Sequence, residues 1–302
     1  MRFGYYAGID IGTNAARLVI KYVEKDEDNE VTANKVQELR IPVRLGVDVF
    51  SSGAISFIKE EQIIEAMKAF RSLMNIYNVI DYKAVATSAF REASNGAEIV
   101  EKIKKESGID IKIVSGESEA STTTRIISEL KLGDDTYCLI DVGGGSTEVS
   151  LIKNKKAKES HSFAIGTIRM LLNKDKKETW SQMNDLLKKY NKEYGDMNII
   201  GTGGNINRYY KMSKHEHDNK KNVDILPVEN MISTYESLNK LDVNERQEKY
   251  KLKPDRADVI VPAGEIFINA AKILDSKYIM VPMSGLSDAI VNELITNSMN
   301  VI

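Results

Sequence analysis

Two short segments of the chain pair a carboxylate with a glycine-rich turn. The first is Gly8-Ile9-Asp10-Ile11-Gly12-Thr13-Asn14, continuing through Ala15, Ala16 and Arg17 into Leu18-Val19-Ile20. The second is Leu139-Ile140-Asp141-Val142-Gly143-Gly144-Gly145-Ser146-Thr147-Glu148-Val149-Ser150-Leu151-Ile152. In each, a short apolar run reaches Asp, turns through Gly and small hydroxyl or amide residues, and resumes as β-favouring residues. That pattern reads as a hairpin with a polar tip. Matched residue type by residue type, the second copy carries one extra glycine. Glycine lets backbone approach an anion closely, and exposed N–H groups with Thr or Ser hydroxyls can ring a phosphate. The Asp beside each tip suits a hydrated magnesium ion. A lone Asp-x-Gly turn is commonplace, whereas a matched pair points to a duplicated chain in which each half supplies one phosphate loop.

The elements around the tips repeat as well. Lys83-Ala84-Val85-Ala86-Thr87-Ser88-Ala89-Phe90-Arg91-Glu92-Ala93 and Met197-Asn198-Ile199-Ile200-Gly201-Thr202-Gly203-Gly204-Asn205-Ile206-Asn207-Arg208 both read as strand, small-residue turn and helix start. Each presents backbone donors at a helix N-terminus. Gly201 to Gly204 also fits a tight connection without a ligand. Glu60 to Met74 carries apolar residues at helical spacing, with Met67 and Met74 expected in the core. A second helix, Ala97 to Ser107, leads through Gly108 into a strand, Ile109 to Val114. Ser115-Gly116-Glu117-Ser118-Glu119-Ala120 then opens another helix, where acidic residues favour the helix dipole whatever else they do.

Other constellations are weaker. His215-Glu216-His217 lies in the polar run Lys214 to Lys221 and reads as a solvated loop rather than a metal site. Cys138, the single cysteine, sits in an apolar run and reads as core. No Gly-x-Ser-x-Gly elbow and no Gly-Lys-Thr loop is present.

At 302 residues and 42% hydrophobic content, the chain is long enough for two modest cores. Lys plus Arg number 42 and Asp plus Glu 44, so the balance argues against a surface given over to nucleic acid or acidic membranes. No apolar run approaches the ~20 residues of a membrane span, and Asp10 interrupts the N-terminus too early for a signal-peptide core. A cytoplasmic setting is the expectation.

Taken together, the two Asp-Gly segments, Ala86 to Ala93 and Ser115 to Ala120 resemble the exopolyphosphatase and guanosine-pentaphosphate phosphohydrolase family in order and spacing. Arg256-Ala257-Asp258-Val259-Ile260-Val261-Pro262-Ala263-Gly264 and Ser284-Gly285-Leu286-Ser287-Asp288 resemble its later segments. The resemblance implies an α/β fold of the two-lobed, actin-like (ribonuclease H-like) kind, in the short two-domain form, with lobes expected at 1–124 and 125–302 and a cleft between them. It also implies release of terminal phosphate from polyphosphate or guanosine pentaphosphate with magnesium as cofactor. Glu119 matches the family's catalytic carboxylate. Asp141 and Glu148 match its magnesium-binding carboxylates, with Asp10 a further candidate. Arg91 matches an arginine facing substrate phosphate. Thr13, Asn14 and Arg17 fall in the first phosphate loop, Gly144, Gly145, Ser146 and Thr147 in the second, and Gly203 and Gly204 are further phosphate-binding candidates. The family often has Glu-Glu-Ala-Arg where this chain has Glu117-Ser118-Glu119-Ala120-Ser121, a departure that bears on substrate preference. Two other readings stay open: an actin-fold small-molecule kinase, and a regulator that binds guanosine penta- or tetraphosphate without turnover. A homodimer is the default for assembly.

Overall fold

The structure is a computed structural model that describes residues 3–25, 31–218 and 223–299. The chain opens with strands β1 (Gly4–Ile11), β2 (Ala16–Lys25) and β3 (Val31–Ile41). Helices α1 (Leu45–Ser52) and α2 (Phe57–Ile76) lead to β4 (Asp81–Ala86), and α3 (Ser88–Glu92) and α4 (Gly96–Ser107) to β5 (Ile111–Ile113). Next come α5 (Gly116–Thr123), a 3-10 turn (Thr124–Glu129), and strands β6 (Thr136–Val142), β7 (Thr147–Lys153) and β8 (Lys156–Phe163). Helices α6 (Thr167–Leu171) and α7 (Lys177–Tyr194) precede β9 (Asn198–Thr202), α8 (Ile206–Met212), β10 (Glu216–Asp218) and β11 (Val223–Pro227). The chain ends with α9 (Val228–Asn239), α10 (Val243–Tyr250), α11 (Pro254–Ala257), α12 (Ile260–Ile273), β12 (Tyr278–Val281) and α13 (Leu286–Met299).

Packing divides the chain into two compact units: residues up to Ser115 together with those from Leu286 onward, and Gly116–Gly285. In the first, the sheet order is β3-β2-β1-β4-β5. The first three strands are antiparallel neighbours, and β1, β4 and β5 run parallel. In the second, the order is β10-β11-β12-β9-β6-β7-β8. Its portion β8-β7-β6-β9-β12 repeats the directions of the first sheet strand for strand. The repeat inferred from two hairpins therefore extends to a whole five-stranded sheet.

Each core follows from local pattern. The α2 helix starts at Ser56, whose side chain accepts from the Lys59 N–H, and buries Ile63, Met67, Phe70 and Met74. The α4 helix ends at Gly108 in the left-handed region. In the second unit, Cys138, Ile140 and Val149 pack with Met183 and Leu187 of α7 and with Ile266 and Phe267 of α12.

The units differ from the halves 1–124 and 125–302 expected from sequence. The α5 helix packs on β7 and β8 in the second unit. The α13 helix returns to the first, where Val291 and Ile295 pack with Tyr6, Val19 and Val23, and Leu286 and Ile290 with Val85. Ion pairs reinforce the return: Asp288 with Lys35 at 2.8 Å and Lys21 at 3.7 Å, and Lys83 with Glu293 at 2.6 Å. A single cut along the sequence cannot represent an element that comes back. His215-Glu216-His217 also departs from a plain loop: His217 sits on β10, and its Nδ1 lies 2.9 Å from Asp224 Oδ1 on β11. Residues 219–221 of that run lie outside the described residues.

Candidate active site

The two hairpins are equal in length. Gly12 N–H donates to the Ala15 carbonyl at 3.0 Å, and Gly143 N–H to the Ser146 carbonyl at 2.9 Å. Strand pairing sets Asp10 opposite Arg17 and Asp141 opposite Glu148. The glycine that sequence matching treated as an insertion thus replaces a residue: Thr13 and Asn14 correspond to Gly144 and Gly145, and Arg17 to Glu148. This alignment separates the units chemically. Asp10 lies 3.6 Å from the Arg17 guanidinium, which offsets its charge, whereas Asp141 faces a second carboxylate. A divalent cation is held far better by the second arrangement than by the first.

Glu148 is buried at 1% exposure on β7. Burial pushes its carboxyl well above the ordinary carboxylate range. The neighbouring charges of Glu119 and Asp141 push the same way, while hydrogen bonds from the Ser146 and Ser162 hydroxyls oppose them. The Ser162 hydroxyl donates to Glu148 Oε1 at 2.8 Å. Glu119, itself buried in the first turn of α5, is therefore gathered with Asp141 and Glu148 into one acidic cluster. A carboxyl whose folded-state pKa is raised favours folding below about pH 4.5, and that contribution is lost as pH rises toward the folded value. In metal-free buffer, Glu148→Gln is therefore expected to melt higher than the parent at pH 7 to 8, the gap closing as pH falls toward 4.5. Thermal melts across that range check it; a variant less stable at neutral pH contradicts the cluster.

The second tip is pinned from behind by α6. Thr167 N–H donates to the Gly143 carbonyl at 3.1 Å and Ile168 N–H to the Gly144 carbonyl at 2.8 Å. The buried Arg169 side chain donates from Nε to the Gly145 carbonyl at 2.8 Å. Gly166 permits this approach: a Cβ there would lie 2.6 Å from backbone atoms of both Gly144 and Gly145. In the first unit, Gly46 N–H at the start of α1 donates to the Thr13 carbonyl at 2.9 Å, and Arg44 N–H to the Asn14 carbonyl at 3.0 Å.

The other expected residues sort by where their polar atoms go. Gly203 has φ +98°, and a Cβ there would stand 3.0 Å from Asp141 Oδ1, so this glycine leaves room beside the carboxylate. Its neighbour Thr202, level with Asp141 on the adjacent strand, is fully buried with Oγ1 unpartnered among the described residues. Gly204 lies against the Arg256 guanidinium, which donates to Asn205 Oδ1 at 3.0 Å. Arg91 donates from Nη1 to the Val114 carbonyl at 2.9 Å. Thr13 is buried. Thr147 is fully buried and its hydroxyl donates to the Ile165 carbonyl at 2.7 Å, tying the hairpin to the approach of α6. Likewise the Ser146 hydroxyl bonds Glu148, which leaves its amide for an anion. Sequence reasoning missed Ser162, Arg169, Asn205 and Thr202. An arginine within the apolar run Ile168 to Leu172 was the one available signal.

Two units of matched strand order, each with an acid-bearing hairpin, define the actin-like ATPase fold, α/β with two mixed sheets. The chain belongs to the Ppx/GppA phosphatase family, whose model matches residues 23–297. A Ppx/GppA enzyme from Aquifex aeolicus has the same fold, with a TM-score of 0.75 and 25% identity over 97% of this chain and 100% of that one. An exopolyphosphatase from Cytophaga hutchinsonii has a TM-score of 0.84 and 22% identity over 97% and 98% of the two chains. In sequence, the chain is 30% identical to a bifunctional 3-dehydroquinate synthase/phosphatase of Fusobacterium nucleatum, over 89% of this chain and 43% of that one. It is 24% identical to a guanosine-5'-triphosphate,3'-diphosphate pyrophosphatase of Vibrio cholerae, over 60% and 36%. The chain thus spans less than half the length of these curated relatives. Among the described residues, no helix is long and apolar enough to cross a membrane.

Proposed function

We propose that this chain is a phosphohydrolase that releases the terminal phosphate of polyphosphate or guanosine pentaphosphate by attack of water. The observation that carries the reading is the cluster of Glu119, Asp141 and Glu148 beside a glycine-rich tip whose carbonyls are tied back to α6. A phosphoanhydride is already activated, so the protein's task is to neutralise oxygens and orient water in line. Amides of Gly144, Gly145 and Ser146 receive the terminal phosphate. Thr13, Asn14, Arg17 and Arg91 of the first unit stay phosphate-binding candidates on the family resemblance alone. Glu119 accepts a hydrogen bond from the attacking water and takes its proton as the new bond forms.

The donor set fits magnesium. Asp141 and Glu148 supply hard, charged oxygens, and the Thr202 hydroxyl, unpartnered among the described residues, lies level with Asp141. Among the described residues no group of three or more His, Cys, Asp or Glu side chains stands so as to hold a metal ion by itself. Magnesium is usually held by one or two carboxylates together with water and substrate oxygens. When bound, the ion supplies positive charge to the phosphate oxygens. Asp141→Asn is expected to raise the magnesium concentration for half-maximal activity at least about tenfold, because one of two charged ligands is lost. An unchanged magnesium titration would move the ion elsewhere. Phosphate release from polyphosphate and guanosine pentaphosphate, side by side without any acceptor, tests the function. Release that requires an acceptor would make the chain a kinase, and binding without release would make it a sensor.

A further inference from the structure

We infer that Arg169 is a positioning residue that sets the direction of the Ser146 amide and, through it, the affinity of the second tip for a terminal phosphate. This inference rests on the phosphohydrolase reading. A trans peptide unit is planar, so its C=O and N–H point in opposite directions, and fixing one fixes the other. Three successive carbonyls of the tip are fixed toward α6. Thr167 N–H holds that of Gly143 and thereby aims the Gly144 N–H; Ile168 N–H holds that of Gly144 and aims the Gly145 N–H. The third carbonyl, of Gly145, receives a side chain, Arg169 Nε at 2.8 Å, and this aims the Ser146 N–H. Three amides pointing the same way make an anion-binding concavity. With glycine at 144 and 145, side-chain sterics do little to resist rotation of these peptide units. The third peptide consequently depends on a bond that substitution can remove, unlike the first two. Arg169 is 7% exposed, so its guanidinium is built into the base of the tip and is not a surface charge.

The fourth side-chain atom of Arg is Nε, that of Gln is Nε2, and that of Met is a methyl carbon. Arg169→Gln and Arg169→Met therefore both discard the charge at similar bulk and differ in whether a donor remains opposite the Gly145 carbonyl. Kinetics on polyphosphate and amide shifts on titration with inorganic phosphate are measured for both variants and the parent. The expected result is a KM raised about tenfold in the Met variant with kcat within about threefold, since a ground-state phosphate contact is lost. The Ser146 amide should lose its response to phosphate while those of Gly144 and Gly145 keep theirs, and the Gln variant should stay within about twofold of the parent on both measures. A Gln variant as impaired as the Met variant would overturn the inference, because charge would then be the cause. Equal loss of response at all three amides would do so too, by showing general collapse of the tip. If the Met variant does not fold, the Gln variant decides alone: a KM within about twofold of the parent with the Ser146 amide still responding supports the inference, and loss of the Ser146 response overturns it. A parent that cleaves polyphosphate but shows no amide response to phosphate defeats this inference and leaves the function standing. A parent that responds to phosphate yet cleaves no phosphoanhydride defeats the function instead.

Discussion

Glu119→Gln is expected to lower turnover at least about 100-fold while leaving substrate affinity within a few-fold, the pattern of a lost proton acceptor. The substitution keeps the shape of the side chain and removes its basicity, so binding contacts survive. The physical case is the company the residue keeps. Glu119 is buried in the first turn of α5, and its charge helps to hold the Glu148 carboxyl above its usual range. A helix-dipole role alone is met by an exposed acid on any first turn and does not require burial beside two more carboxylates. The same variant should be at least as stable as the parent at neutral pH, because it relieves like-charge repulsion. Steady-state kinetics with a thermal melt checks both points. A variant that turns over near normally would remove Glu119 from the chemistry.

Gly166→Ala is expected to cut kcat/KM by about 100-fold, although residue 166 contributes no side chain to the site. The added methyl would lie 2.6 Å from the Gly144 carbon and oxygen and from the Gly145 carbon. These are backbone atoms, so relief must come from moving α6 away from the tip. That movement loosens the bonds from Thr167 and Ile168 to the Gly143 and Gly144 carbonyls. Overpacking of this kind costs about 1–3 kcal/mol of stability, and a displacement of about 1 Å at reacting groups can cost about 100-fold in rate. Comparing kcat/KM and melting temperature against the parent checks both. Activity within about twofold of the parent would show that α6 does not set the tip.

The hairpins were legible because their chemistry is local: an apolar run, an acid, small turn residues and a second run define both tip and strands. Their register was not, since counting one glycine of the second copy as extra obscures what strand pairing shows, that Arg17 stands where Glu148 does. That one correspondence carries much of the functional asymmetry between the units. Asp141 is legible from its own hairpin, whereas Glu119 and Glu148 enter through family resemblance; the convergence of the three depends on α5 packing against β7 and β8, a contact no sequence period encodes. The same limit explains α13. Its apolar pattern says that it buries a face but not which sheet receives it, and Lys21 and Lys35 gain their meaning once Asp288 lies beside them. Arg169, Ser162 and Asn205 act by single hydrogen bonds to the site and leave almost no pattern in the chain.

Water attack at the terminal phosphorus is tested most directly by isotope. With magnesium present and no phosphoryl acceptor, polyphosphate or guanosine pentaphosphate is turned over in water enriched in oxygen-18, and the released orthophosphate is weighed by mass spectrometry. Each released phosphate should carry one solvent oxygen, and the remaining chain or nucleotide none, because the new bond forms at the terminal phosphorus. Label found in the remaining chain, or no orthophosphate at all without an acceptor, would contradict the account.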